Sequence, residues 1–159
     1  MRLALYAPDI PQNTGTILRL AACLGVSVDV IGPAGFDLTD RALRRAALDY
    51  LDHADITRHQ GFADFEAERG RIGSRLVVLS TRATRSYATF EFRPTDTVLL
   101  GRESAGVPEA VHAAADASIR IPMRRQLRSL NVAVAAAIVI GEALRQTEGY
   151  PPDAESPRL

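Results

Sequence analysis

The chain reads as an α/β protein with a parallel sheet, on three observations. Short apolar runs alternate with helical patterns, the runs are continuous in Val and Leu, and 159 residues match one hydrophobic core. In chain order, Leu3-Ala4-Leu5-Tyr6-Ala7 is an apolar run ended by Pro8, as expected of a buried strand, and Asp9 to Gly15 reads as a loop. A helix then starts at Thr16, sets Ile17, Leu20, Ala21 and Leu24 on one face and stops at Gly25; Val26 to Ile31 is the next strand. Gly32-Pro33-Ala34-Gly35 is punctuation, Asp40 can cap a short helix through Ala47, and Ile56-Thr57 is a brief strand. Phe62 to Arg69 is helical, Leu76 to Ser80 and Thr97 to Gly101 are buried strands, Pro108 opens a helix to about Ala115, and Ile119-Arg120-Ile121 is a last strand.

Ser129 to about Gln146 is the longest helix, with Ser129 able to cap it. From Val132 to Ile140 it is apolar all round, so it is buried either within its own domain or against a partner subunit, and the pattern leaves both open. The organisation expected is one domain over residues 1–150 and a loose tail over 151–159.

Composition narrows the chemistry. All 19 basic residues are Arg, balanced by 19 acidic ones, so a Schiff-base lysine and a phosphate-loop lysine are both excluded. A single cysteine, Cys23, and three histidines (His53, His59, His112) without paired spacing leave no basis for a metal site. The amino terminus meets Pro8 and Asp9 too early for a signal peptide, and no apolar run approaches the roughly 20 residues that span a bilayer, so a cytoplasmic protein with no membrane partner is expected.

Ligands of α/β sheets gather at the carboxyl ends of the strands, and three such ends here are polar and Gly-rich. They are Asn13-Thr14-Gly15-Thr16-Ile17-Leu18-Arg19, Gly101-Arg102-Glu103-Ser104-Ala105-Gly106-Val107-Pro108, and Ile121-Pro122-Met123 leading to Ser129-Leu130-Asn131. None has the spaced glycines of a dinucleotide fold or the Lys-Ser/Thr pair of a phosphate loop.

Together these segments resemble the motifs of the SPOUT methyltransferases, the S-adenosylmethionine-dependent RNA methylases, and most closely their ribose 2′-O branch. Asn13, Gly15, Ile17 and Arg19 match the first motif; Gly101, Glu103, Gly106 and Pro108 the second; Ile121-Pro122-Met123 with Ser129-Leu130-Asn131-Val132-Ala133 the third. Leu43-Arg44-Arg45-Ala46 with Leu48-Asp49-Tyr50 is similar to a segment of one subgroup, which methylates the wobble ribose, C34 or U34, of tRNA. The resemblance covers residues 1 to about 150. It implies a parallel-sheet α/β/α sandwich with a deep trefoil knot at the carboxyl end, a homodimer with sites near its interface, and the tRNA anticodon stem-loop as partner.

Carried over by position, the resemblance implies S-adenosylmethionine as cofactor, held at Leu79, Gly101, Ile121 and Ser129, and a catalytic group of Arg19, Asn13, Glu103 and Asn131. The same chemistry on ribosomal RNA or another tRNA position, or a non-catalytic RNA-binding module, are the competing readings. Because guanidinium groups stay protonated in proteins, an arginine is better suited to gripping the 3′-phosphate or stabilising the developing alkoxide than to acting as base. Asn13 and Asn131 can orient the ribose or Arg19, and Glu103 is expected to pair with Arg19 or a neighbouring backbone amide, or else to be a buried structural carboxylate. For RNA, Arg124, Arg125 and Arg128 lie in an acid-free stretch, Arg44 and Arg45 form a second group with Arg41, and Arg82 and Arg85 a third.

Overall fold

The structure of the protein, a computed structural model, describes residues 1–37 and 39–152. Its strands are β1 (Arg2–Tyr6), β2 (Ser27–Ile31), β3 (Ile56–His59), β4 (Arg75–Leu79), β5 (Asp96–Leu100) and β6 (Ala117–Ile119). Its α-helices are α1 (Pro11–Leu24), α2 (Arg41–Ala47), α3 (Phe62–Ile72), α4 (Glu109–Ala114) and α5 (Val132–Gln146). Short 3-10 helices at Leu48–His53 and Tyr87–Thr89 have no counterpart in the sequence pattern. The six strands form one sheet in the order β3-β2-β1-β5-β4-β6, and every pairing is parallel.

Side chains alternate between the two faces of each strand, which divides the core in two. Leu3, Leu5, Val28, Val30, Val77, Val98 and Leu100 pack with residues of α1 and α5 such as Ile17, Leu18, Val139 and Ile140. Ala4, Leu76, Val78 and Leu99 face the other way and meet Phe65 of α3 and Val111 of α4. Helices on both sides of a parallel sheet make the expected α/β/α sandwich, and burial on both faces accounts for strands continuous in Val and Leu.

Most element boundaries agree with the pattern, and three differ for physical reasons. First, α1 starts at Pro11, so Pro11 to Gly15 is helical and not loop. Pro fits the first helical turn because its missing N–H has no helical partner to lose, and the N–H groups of Asn13 and Thr14 both reach Ile10 O, at 3.1 and 3.3 Å. Gly15 is tolerated inside this helix because α2 crosses there: a Cβ on Gly15 would lie 2.4 Å from Leu43 O and 2.8 Å from the Ala46 Cβ.

Second, α5 starts at Val132 and its cap is Asn131, not Ser129: the Asn131 side chain accepts from the N–H groups of Ala133 and Val134. Third, β6 ends at Ile119. Arg120 continues the pairing onto a neighbouring segment, donating its N–H to Arg85 O while its carbonyl accepts from Tyr87 N–H, both at 2.9 Å, and Ile121 leaves the sheet. From residue 153 onward the tail expected over 151–159 lies outside the described residues.

Along α5, Ala136, Val139, Ile140 and Ala143 are fully buried, whereas Val134 is 49% exposed. The helix therefore buries one face in its own chain and leaves an apolar edge uncovered. Because Gly15 is the contact on which α1 and α2 close, Gly15→Ala should lower the free energy of unfolding by about 1–3 kcal/mol, read by urea denaturation. An unchanged midpoint would mean that α2 yields at no cost.

Candidate active site

β1 and β5 lie side by side at the middle of the sheet, with the rest of the strand order diverging from them. Such a switch point opens a crevice beyond the carboxyl ends of the strands, and the segments after β1 and β5 meet there. After β5 the chain makes a tight turn in which Arg102 N–H donates to Gly106 O at 3.0 Å and Gly106 N–H to Arg102 O at 2.7 Å. The turn needs glycine at both ends. A Cβ on Gly101 would lie 2.6 Å from the carbonyl carbon of Gly106, and Gly106 itself has φ +70°, in the left-handed region.

This turn is clamped to residues 7–9. Arg102 Nε donates to Ala7 O at 2.9 Å, Asp9 N–H donates to Glu103 Oε2 at 3.0 Å, and the Ser104 hydroxyl donates to Asp9 Oδ2. The Asp9 carboxyl is held below the usual carboxylate range by hydrogen bonding with Glu103 and Ser104, which outweighs the opposing effect of burial, with a lesser contribution from the Arg102 cation.

Three of the four expected catalytic residues then join in one relay. Asn131 commits its Oδ1 to Ala133 N–H at 2.8 Å and Val134 N–H at 3.3 Å, so its amide nitrogen must face away from the helix. That nitrogen donates to Asn13 Oδ1 at 2.9 Å, and Asn13 Nδ2 in turn donates to Glu103 Oε1 at 3.2 Å. The N-terminus of α5 thereby sets the orientation of two amides and the partner of a carboxylate. Glu103 pairs with a backbone amide and with Asn13, not with Arg19, so of the readings weighed for it the backbone amide is the one observed.

Beside the relay lies a cavity of about 630 Å³, within the range of small-molecule sites, lined by Leu79, Gly101, Ile121 and Ser129 as well as by Asn13, Glu103 and Asn131. All four residues expected at the cofactor are thus gathered on one wall system. Among the described residues, the N–H groups of Ile121, Ser129 and Leu130 donate to nothing within the chain. Unpaired backbone donors against apolar Leu79 and Ile121 suit a flat heteroaromatic ligand with polar edges, so the residues present fit the adenine of S-adenosylmethionine.

Arg19 is elsewhere. It is exposed and does not line the cavity, because six residues along α1 carry it about 9 Å from Asn13 and about 240° round the helix. Its guanidinium carbon sits 5.1 Å from the centroid of the Tyr50 ring. Arg44, Arg45, Arg124, Arg125 and Arg128 are all exposed, and among the described residues none of them enters an ion pair. By contrast Arg82 pairs with Glu109 at 3.0 Å and Arg85 stacks on Phe90 at 4.8 Å, so the third basic group is partly engaged.

Sequence reasoning missed Asp9, Arg102 as a clamp, and Ser104. Only the run Ala7-Pro8-Asp9 closing a strand hinted at a structured turn, and contacts between residues about ninety apart leave no local pattern. His112, on α4, also lines the cavity.

Comparison with known proteins gives a consistent result. The model of the SpoU rRNA Methylase family matches residues 1–141. A protein of Beijerinckia indica named tRNA (cytidine(34)-2′-O)-methyltransferase is 59% identical over 156 residues, covering 98% of each chain. A solved structure described as "Structural insights into the 2-OH methylation of C/U34 on tRNA" superposes with a TM-score of 0.87 at 43% identity, covering 91% of this chain and 94% of the other. The SpoU methyltransferase AviRb from Streptomyces viridochromogenes, in complex with the cofactor AdoMet, superposes with a TM-score of 0.83 at 29% identity, covering 92% of this chain and 60% of that one.

Asn131 combines two jobs that substitutions can separate. Asn131→Ala should cost about 1 kcal/mol in urea denaturation through the lost cap, whereas Asn131→Asp keeps the cap acceptor but sets an acceptor in place of the donor to Asn13, so that its smaller loss, about 0.5 kcal/mol, comes from the relay. Equal losses in the two variants would contradict the division.

Proposed function

The chain belongs to the SpoU methylase family, and from that premise we propose that it transfers a methyl group from S-adenosylmethionine to the ribose 2′-OH of the wobble nucleotide, C34 or a modified U34, of tRNA. One observation carries the reading: the cavity that fits the cofactor is walled by the Asn131–Asn13–Glu103 relay, in a chain 59% identical to a tRNA (cytidine(34)-2′-O)-methyltransferase.

When bound, S-adenosylmethionine supplies an activated methyl group on a sulfonium. Everything else is positioning, since a direct displacement needs the ribose oxygen, methyl carbon and sulfur in line. Leu79, Gly101, Ile121 and Ser129 hold the cofactor through backbone groups and apolar contact. Asn13 and Asn131, each with its amide orientation already determined, orient the ribose by the lone pairs and protons that remain to them. Glu103 spends an oxygen on Asp9 N–H and the other on Asn13, so it aims the relay and is not the base. Arg19 grips the 3′-phosphate and stabilises the developing alkoxide, and the hydroxyl proton passes to phosphate or water.

The position of Arg19 outside its own cavity favours a homodimer in which it acts across the interface. So does the uncovered apolar surface: Ile10 and Leu130, which line the cavity, are each 40% exposed, and Val134 on α5 is 49% exposed. In the same reading residues 1–150 form the single catalytic domain. The segment from Ile121 to Asn131, returning from the edge strand β6 to α5 on the face of α1, is threaded as the family's trefoil knot. The exposed Arg44, Arg45, Arg124, Arg125 and Arg128, which enter no ion pair among the described residues, receive the anticodon stem-loop, and the enzyme works in the cytoplasm. No helix among the described residues is long and apolar enough to cross a membrane.

Mass-spectrometric mapping of tRNA incubated with the purified protein and S-adenosylmethionine tests the reading: methylation is expected on the ribose of nucleotide 34, and methylation confined to another position overturns the substrate assignment. Arg19→Lys should retain measurable turnover. Complete inactivity with unchanged tRNA binding would instead assign Arg19 a role that a point charge cannot fill.

A further inference from the structure

Among the described residues Arg19 enters no ion pair and no side-chain hydrogen bond, whereas seven other arginines (Arg2, Arg69, Arg71, Arg75, Arg82, Arg102 and Arg145) form ion pairs. Arg2, Arg69, Arg71, Arg75 and Arg145 each grip a carboxylate with two nitrogens. Arg19 instead faces an aromatic ring, Tyr50, at 5.1 Å from its centroid. The two arrangements differ in what they leave free. A carboxylate neutralises the cation and occupies N–H donors, whereas a ring face attracts the cation and leaves the donors in the guanidinium plane unused.

The backbone is built to bring that ring there. Gly15 lets α2 close on α1, with Leu43 O lying 2.4 Å from where a Cβ would be. Immediately after α2, Leu48 adopts φ +55°, a left-handed conformation that costs a leucine strain, while its N–H still donates to Arg44 O. This reversal starts the 3-10 helix Leu48–His53, which folds back along α1 and sets the half-buried Tyr50 against Arg19. Leu48 pays no obvious packing dividend, since its side chain is 51% exposed.

We propose that Tyr50 is a positioning residue for methyl transfer: its ring face holds the Arg19 guanidinium in a set plane without neutralising it, so that the donors remain free for an RNA phosphate. The inference rests on the reading of Arg19 given above. It needs the ring and not the hydroxyl, because Tyr50 makes no side-chain hydrogen bond among the described residues.

The test is steady-state methyl transfer to tRNA by the full chain and its variants. Tyr50→Leu should lower kcat by about tenfold or more, with the unfolding midpoint and the affinity for S-adenosylmethionine unchanged, and Tyr50→Phe should recover most of that loss. In an Arg19→Lys background, where the planar group is already gone, adding Tyr50→Leu should change kcat by less than about twofold. Should Tyr50→Leu fail to fold, Tyr50→His and Tyr50→Met give the same ring-against-no-ring comparison. Unchanged kcat in Tyr50→Leu, equal losses in Phe and Leu, or an equal loss in both backgrounds would each overturn the proposal. Absence of methyl transfer by the unaltered chain would overturn the functional reading, and this inference with it.

Discussion

The amide of Asn13 is the constraint on which the site depends. An amide can be turned either way at little intrinsic cost, and here its orientation is dictated from both sides. The N-terminus of α5 claims the oxygen of Asn131, which leaves Asn131 only a donor to offer; Asn13 must therefore present its oxygen to Asn131 and its nitrogen to Glu103. Glu103 is held in turn by Asp9 N–H, at the end of β1. A helix terminus, a turn after β5 and a turn after β1 are thereby locked in one polar chain, in which Asn13 bonds across 90 residues to Glu103 and across 118 to Asn131. Because each group is oriented before any substrate arrives, little reorganisation is left for the reaction itself.

The sheet explains why those three segments can meet at all. With β1 and β5 adjacent and parallel, their carboxyl ends open on the same edge, and β4 beside β5 adds Leu79 to that edge. Glycine at 101 and 106 lets the chain turn sharply enough to place Glu103 over the end of α1. Gly15 does a separate job. It sits in the same motif as Asn13 and Arg19, yet its contact is with α2, and through α2 it governs where the 3-10 helix carrying Tyr50 lies.

The parts legible in the sequence were those with a local cause. Val and Leu runs marked the strands because a doubly covered strand is apolar on both faces, and Asp40 marked α2 because a side-chain cap is a property of neighbouring residues. The start of α1 was not legible, since Asn13-Thr14-Gly15 favours a loop on propensity and is held helical by Pro11 and by the contact of Gly15 with α2. Ser129 and Asn131 are both good caps, and only the path of the chain decides between them. Motif resemblance grouped Asn13, Glu103 and Asn131, which the structure joins by hydrogen bonds, but it could not reveal that Arg19 points away from its own cavity or that Asp9 and Ser104 clamp the turn. The neutral charge of the chain hid a similar division, because seven arginines are engaged in ion pairs while those at 44, 45, 124, 125 and 128 enter none among the described residues.

The relay is tested most directly by a double-mutant cycle between its two ends, Glu103→Ala and Asn131→Ala, read as the free energy of unfolding. These side chains touch only through Asn13. A relay predicts non-additivity of about 0.5 kcal/mol or more, because once Asn13 has lost one partner it is free to turn and the second loss costs less. Effects that add to within about 0.3 kcal/mol would contradict the account, leaving three separate hydrogen bonds where one oriented chain is claimed.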